Sequence, residues 1–153
     1  MKPHVWIDVP NARFPFEGVC TGGRPRPEDL RQARNSGVKT VISLCAPSEC
    51  DNYDEGALVT ALGMQYLNIP VASPADLTLD KAKALAEALR EARDSPVDGP
   101  VLVHCASGNR VGALFAIKAC LIDGLTTEQS IAVGRAAGLT TLESEVRCVL
   151  AQR

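Results

Sequence analysis

The strongest constraint on this chain is an alternation of two periodicities. Three short runs, GVKTVISL at 37–44, MQYLNIPV at 64–71 and GPVLVHC at 99–105, are rich in β-branched and apolar residues and have the form of strands buried on both faces. Helical stretches separate them. In RPEDLRQARNSG, Pro27 stands near the first turn, Glu28 and Asp29 sit where the positive helix end favours them, and Gly37 provides the stop. In TLDKAKALAEALREAR, 78–93, Ala82, Leu85, Ala86, Leu89 and Ala92 share one face behind Thr78 as N-cap. Three more helices are expected after Arg110, from VGALFAIKACLIDG, TTEQSIAVGRAAG and LESEVRCVLAQR. Thr126 with Gln129, and Thr140 with Glu143, have the spacing of capping boxes. RDSPVDGP at 93–100 reads as a loop, and no repeat or linker divides the chain. Such an order predicts an α/β fold, one domain over residues 1–153, with a central, mostly parallel sheet flanked by helices.

Charge and cysteine usage narrow the function. With 16 Lys and Arg against 18 Asp and Glu, the net charge is -2, so the whole-molecule field offers nothing to nucleic acid and any anion site must be local. The N-terminus lacks the continuous apolar core of a signal peptide, and no later stretch reaches the about 18 apolar residues of a membrane helix. A cytoplasmic protein with no membrane partner is the expectation. Six cysteines stand at 20, 45, 50, 105, 120 and 148, without a C-x-x-C pair, and the histidines are His4 and His104 only. Free thiols are expected, with no metal site and no cofactor.

The chemistry concentrates in VHCASGNRVGAL, residues 103–114. A strand ending at Cys105 and a helix beginning near Arg110 put this loop at the carboxyl edge of a parallel sheet, where open α/β folds bind ligands. The backbone N–H groups of Ala106, Ser107, Gly108, Asn109 and Arg110 can curl into a nest for a tetrahedral anion, aided by the helix N-terminus. Gly108 supplies the turned backbone, and Arg110 a planar fork for two anion oxygens. Those groups favour the thiolate of Cys105, which is expected to be a nucleophile. The other five cysteines fit the common fate of small buried thiols. His104 admits two readings, orienting the loop or filling the core.

VHC..G.R followed by an apolar helix resembles the signature of the cysteine-dependent phosphatases. GGRPRPEDLRQARNSGVKTVISL and YLNIPV are similar to the early helix and strands of the dual-specificity members. Together with VLVHCASGNR and AAGLTTLESEV they look most like a bacterial branch, the beta-lactamase hydrolase-like, phosphatase-like domain family, over roughly residues 15 to 150. The resemblance implies a cysteine-phosphatase-like fold and a phosphoric monoester hydrolase of the protein-tyrosine-phosphatase type. In it Cys105 takes the phosphoryl group and Arg110 binds its equatorial oxygens. The substrate is then a phosphorylated protein, lipid, nucleotide or small molecule, and the oligomeric state is open.

Two departures matter. The family's loop has five residues between Cys and Arg, and here there are four; the Ser or Thr that usually follows the Arg is Val111. The cradle is smaller and lacks one hydroxyl, so slow turnover is expected. Four intervening residues also resemble the persulfide loop of single-domain rhodanese sulfurtransferases, and a weakly catalytic phosphate-binding module is a third reading of the same loop. In dual-specificity phosphatases an Asp beyond the strand written here YLNIP protonates the leaving oxygen. Ser73 holds that place here, and the nearest carboxylates are Asp76 and Asp80. The helix dipole explains Asp80, so Asp76 is the expected general acid. Arg24, in GGRPRP, reads as a solvated charge more readily than as an anion ligand. Finally, Cys45 in SLCAPSEC ends a strand parallel to that of Cys105, and LCA resembles the tumour-suppressor lipid phosphatases. There a second cysteine traps the oxidised nucleophile as a disulfide. Cys50 is a weaker candidate for that role.

Overall fold

A computed structural model describes residues 7–49, 52–94 and 99–152; Cys50 and His4 lie outside them. Its strands are β1 (Arg13–Phe16), β2 (Val19–Gly22), β3 (Thr40–Ser43), β4 (Gln65–Asn68) and β5 (Val101–His104). The helices are α1 (Pro27–Asn35), α2 (Glu55–Ala61), α3 (Leu79–Asp94), α4 (Asn109–Leu121), α5 (Thr127–Ala136) and α6 (Glu143–Ala151). They surround one sheet of order β1-β2-β5-β3-β4, parallel except for β1. β5 lies in its centre and is buried along its whole length, as its continuous apolar run requires.

Side chains alternate across β5 and so divide two cores. Val101, Val103 and Cys105 join Leu85, Leu114, Phe115 and Ile117 on the α3 to α6 side. Leu102 joins Cys20, Leu30, Val41 and Val59 on the α1 and α2 side, and His104 shares its face. α4 is buried nearly all round, from Val111 to Cys120. A Cβ at its Gly112 would stand 2.0 Å from the Leu139 nitrogen, so only glycine lets α4 approach the turn after α5 this closely.

The three expected parallel strands, α1, α3 and the three closing helices all form. Thr78 caps α3 through its Oγ1, 3.3 Å from the Lys81 N–H, and the Thr126–Gln129 capping box forms at α5. The Thr140–Glu143 box does not. Asn109 Oδ1 accepts the N–H groups of Thr140 (2.8 Å) and Leu142 (3.3 Å), while the Glu143 carboxylate is taken by Arg135 and Arg147. Three elements have no counterpart in the periodicity: the edge strand β1, whose Pro15 is tolerated because an edge need not donate on both sides, its neighbour β2, and α2, capped by Asp54 accepting from Ala57 N–H at 3.0 Å. Among the described residues no helix is long and apolar enough to cross a membrane.

Candidate active site

Cys105 follows the last residue of β5 and is fully buried. Its Sγ accepts the Gly108 N–H at 3.1 Å. That bond needs a tight reversal, and Gly108 makes it at φ +96, a conformation other residues adopt only with strain. The flanks hold the loop by its carbonyls. Ala106 O accepts Arg24 N–H at 3.2 Å, and Ser107 O accepts Asn11 Nδ2 at 2.9 Å. In a trans peptide unit the N–H opposes the C=O, so the Ser107 and Gly108 N–H groups turn inward, the second onto the sulfur. α4 begins at Asn109 and adds the positive end of a 13-residue helix. The arrangement offers a small concave donor set to an anion above Sγ.

Arg110, in the first turn of α4, is held beside this loop. Its Nη1 and Nη2 donate to Glu49 Oε2 (3.0 Å) and Oε1 (2.7 Å), a bidentate pair, and Nη1 also donates to Val71 O at 2.6 Å. Glu49 in turn accepts the Ala46 N–H at 2.6 Å. The Arg110 hydrogen bond, first among several causes, holds the Glu49 carboxyl below its ordinary range. Conversely the Glu49 hydrogen bond holds Arg110 above its ordinary value, and the sulfurs of Cys105 and Cys45 add to this electrostatically. Both thiols therefore lie within electrostatic reach of the guanidinium. The register explains it: Ser43 pairs with His104, so Leu44 and Cys45 leave the sheet at the same edge as Cys105. Cys20, Cys105 and Cys148 are free thiols.

Arg24 is not a solvated charge. Its backbone pairs with the loop, its Nη1 donates to Glu49 O at 2.6 Å and its Nη2 to Asn52 Oδ1 at 2.7 Å. Its Nε is buried with no partner. Asp76 lies in a single 3-10 turn, Pro74–Asp76, where Oδ2 accepts the Ala72 N–H at 2.9 Å. The same β4–α3 connection presents Val71 O to Arg110, so it borders the site. His104 is fully buried and tied at both ring nitrogens, Nε2 to Glu55 Oε2 at 2.5 Å and Nδ1 to Cys105 O at 3.4 Å. Between the two readings of this residue, the contacts favour orientation of the loop. Asn109 uses its side chain on the α5–α6 turn, including Nδ2 to Thr141 Oγ1 at 2.6 Å, and so fixes the start of α4.

Sequence reasoning missed Glu49 and Glu55. Each is brought to the site by the fold from a distant segment, and Glu55 in particular reads as an ordinary first-turn acid. Among the described residues no group of three His, Cys, Asp or Glu side chains could hold a metal ion.

Residues 13–122 match the family described as beta-lactamase hydrolase-like protein, phosphatase-like domain. The beta-lactamase hydrolase-like protein of Agrobacterium fabrum is 28% identical over 109 residues, 69% of this chain and 24% of that protein. The chain thus spans about a quarter of the length of the curated relatives it matches. A candidate phosphatase of Shewanella putrefaciens superposes with a TM-score of 0.71 at 22% identity, over 94% of this chain and 88% of its own. TpbA of P. aeruginosa, solved in complex with pTyr, superposes with a TM-score of 0.59 at 19% identity, over 90% of this chain and 79% of its own. The fold is that of the cysteine phosphatases.

Proposed function

Because the chain belongs to the phosphatase-like domain family of beta-lactamase hydrolase-like proteins, we propose that it hydrolyses phosphate monoesters through a phosphocysteine on Cys105. The observation that carries this reading is the Gly108 N–H aimed at Sγ from 3.1 Å inside a loop whose next residues open α4. A sulfur so held faces the centre of whatever anion the loop accepts. Sγ forms an S–P bond as the P–O bond to the leaving group breaks. The N–H groups of Ala106, Ser107, Gly108, Asn109 and Arg110 take the equatorial oxygens, and the Arg110 fork exchanges part of its hold on Glu49 and Val71 O for them. Asp76 gives its proton to the departing oxygen, and water then cleaves the S–P bond, releasing phosphate and the thiolate. The pTyr bound by TpbA supports an aryl phosphate as the first substrate to try.

Only one observation favours sulfur transfer, the four residues between Cys105 and Arg110. An aryl phosphate and thiosulfate with cyanide, assayed side by side on wild type and Cys105→Ser, separate the two. The expected result is phosphate release without added metal, inhibited by vanadate and lost in Cys105→Ser; thiocyanate without phosphate would overturn it. Asp76→Asn is expected to slow poor leaving groups most, and an equal effect on all of them would remove Asp76 from the acid role.

A further inference from the structure

Glu55 and His104 form a buried polar pair directly behind the nucleophile, and the loop chemistry described so far does not use it. Their side chains are 2% and 0% exposed, and they come from α2 and β5, 49 residues apart. A carboxylate oxygen and an imidazole nitrogen 2.5 Å apart must have a proton between them. The other ring nitrogen, Nδ1, faces Cys105 O, which can only accept. A bare Nδ1 there would set two lone pairs against each other. The two contacts together therefore require two protons on the pair, either as imidazolium with carboxylate or as imidazole with carboxylic acid, and both forms protonate Nδ1.

The surroundings leave this assignment to the pair itself. Among the described residues the other buried titratable side chains on the same face of the sheet are Cys20 and Asp29. Burial pushes the Cys20 thiol up to about 11, so it stays uncharged, and Asp29 is bound by Arg26. Arg110, Glu49 and Cys45, at the carboxyl edge, already form the network around Arg110. Glu55 is also a costly residue for the core: Oε1 is buried with no hydrogen-bond partner. An apolar side chain would fill the same space without that penalty.

We propose that Glu55 is a positioning residue for Cys105, holding His104 with Nδ1 protonated so that its N–H anchors the Cys105 carbonyl and fixes the approach of Sγ. The proposal rests on the reading of Cys105 as the nucleophile. It concerns geometry behind the sulfur rather than contact with substrate, since Glu55 reaches the loop only through the imidazole.

The test starts with the wild-type chain. Its histidine ring nitrogens, 15N-labelled and read by NMR at neutral pH with His4→Gln for assignment, should show a proton on Nδ1 of His104; an Nε2–H ring with a bare Nδ1 would overturn the proposal. Glu55→Gln keeps a donor for Nε2 and should retain most of the rate at which iodoacetamide alkylates Cys105, followed on its peptide by mass spectrometry. Glu55→Leu removes the partner and should lower that rate about tenfold and lower kcat with little change in KM. Unchanged alkylation of a folded Glu55→Leu would contradict the role, and if that variant does not fold, the wild-type ring decides. The ring-nitrogen and alkylation readouts need no phosphate turnover, so a chain that alkylates as expected yet releases no phosphate would refute the phosphatase reading and leave this one standing.

Discussion

Cys20 lies in β2 and Cys105 just past the end of the adjacent parallel strand β5, at 1% and 0% exposure, and burial alone does not distinguish them. Cys20 points into the apolar cluster under α1, among Leu30, Ala33 and Leu102, and its sulfur reaches only Thr21 O at 3.8 Å. Burial without a donor pushes its thiol up to about 11. Cys105 leaves its strand at the carboxyl edge, where Gly108 N–H meets the sulfur and Arg110 lies within electrostatic reach. The difference teaches that a buried thiol takes its chemistry from the donors around it, and that here these donors are supplied by the turn and the helix after the strand, not by the strand.

The largest effect expected from this contrast is on the sulfur itself. Cys105→Ser should reduce phosphate release by about a thousandfold or more, while Cys20→Ser should stay within about twofold, both read as kcat/KM on an aryl phosphate. Equal losses at the two positions would erase the distinction. Arg110→Lys comes next, at about a hundredfold, because an ammonium cannot reproduce the two parallel bonds that a planar fork gives a phosphoryl group. Near wild-type turnover would take Arg110 out of the site.

Gly108→Ala sharpens the comparison at the backbone. The added Cβ meets Gly22 at an ordinary 3.6 Å, so the cost is the left-handed conformation rather than a clash. That strain is about 1–2 kcal/mol, and the melting temperature should fall by about 2–8 °C. A variant that melts as wild type does would show that the turn is not held at positive φ. Smallest is the effect of Glu49→Gln. Because Arg110 lowers the Glu49 pKa, the pair stabilises the folded chain fully above the ordinary carboxylate range, and the contribution is lost as pH falls through the lowered value. The difference in melting temperature between wild type and Glu49→Gln should therefore be constant from about pH 6 to 8 and shrink in acid below about pH 4. A difference that grows on acidification would reverse the assigned sign.

Local patterns in the sequence carried most of the fold. Two of the apolar runs became β3 and β5, buried along their whole length because a strand covered on both faces must be apolar throughout. The third became β4 at the sheet edge, with Gln65 and Asn68 exposed rather than buried as expected. Gly108 was legible as the turn residue for the same local reason. What stayed hidden was long-range. Glu49 meets Arg110 across 61 residues, Glu55 meets His104 across 49, and the Asn109 side chain reaches Thr140 across 31. Nothing in local spacing records such pairings. The Thr140–Glu143 capping box failed for that reason: a tertiary acceptor, Asn109 Oδ1, already held the N–H groups at that helix start. Arg24 was misread because composition places arginines outside, whereas the backbone of GGRP pairs with the loop and carries the side chain inward.

On the proposed reading Cys105 forms a covalent bond to phosphorus while Cys20, one strand away, does not. Wild-type protein mixed with an aryl phosphate, quenched in acid during turnover and digested, can be read by mass spectrometry for a phosphoryl group on each cysteine peptide. Phosphoryl is expected on the peptide bearing Cys105 and on no other cysteine peptide. Phosphate release with an unmodified Cys105 peptide, or a persulfide on Cys105 after thiosulfate with no phosphoryl form under any substrate, would contradict it.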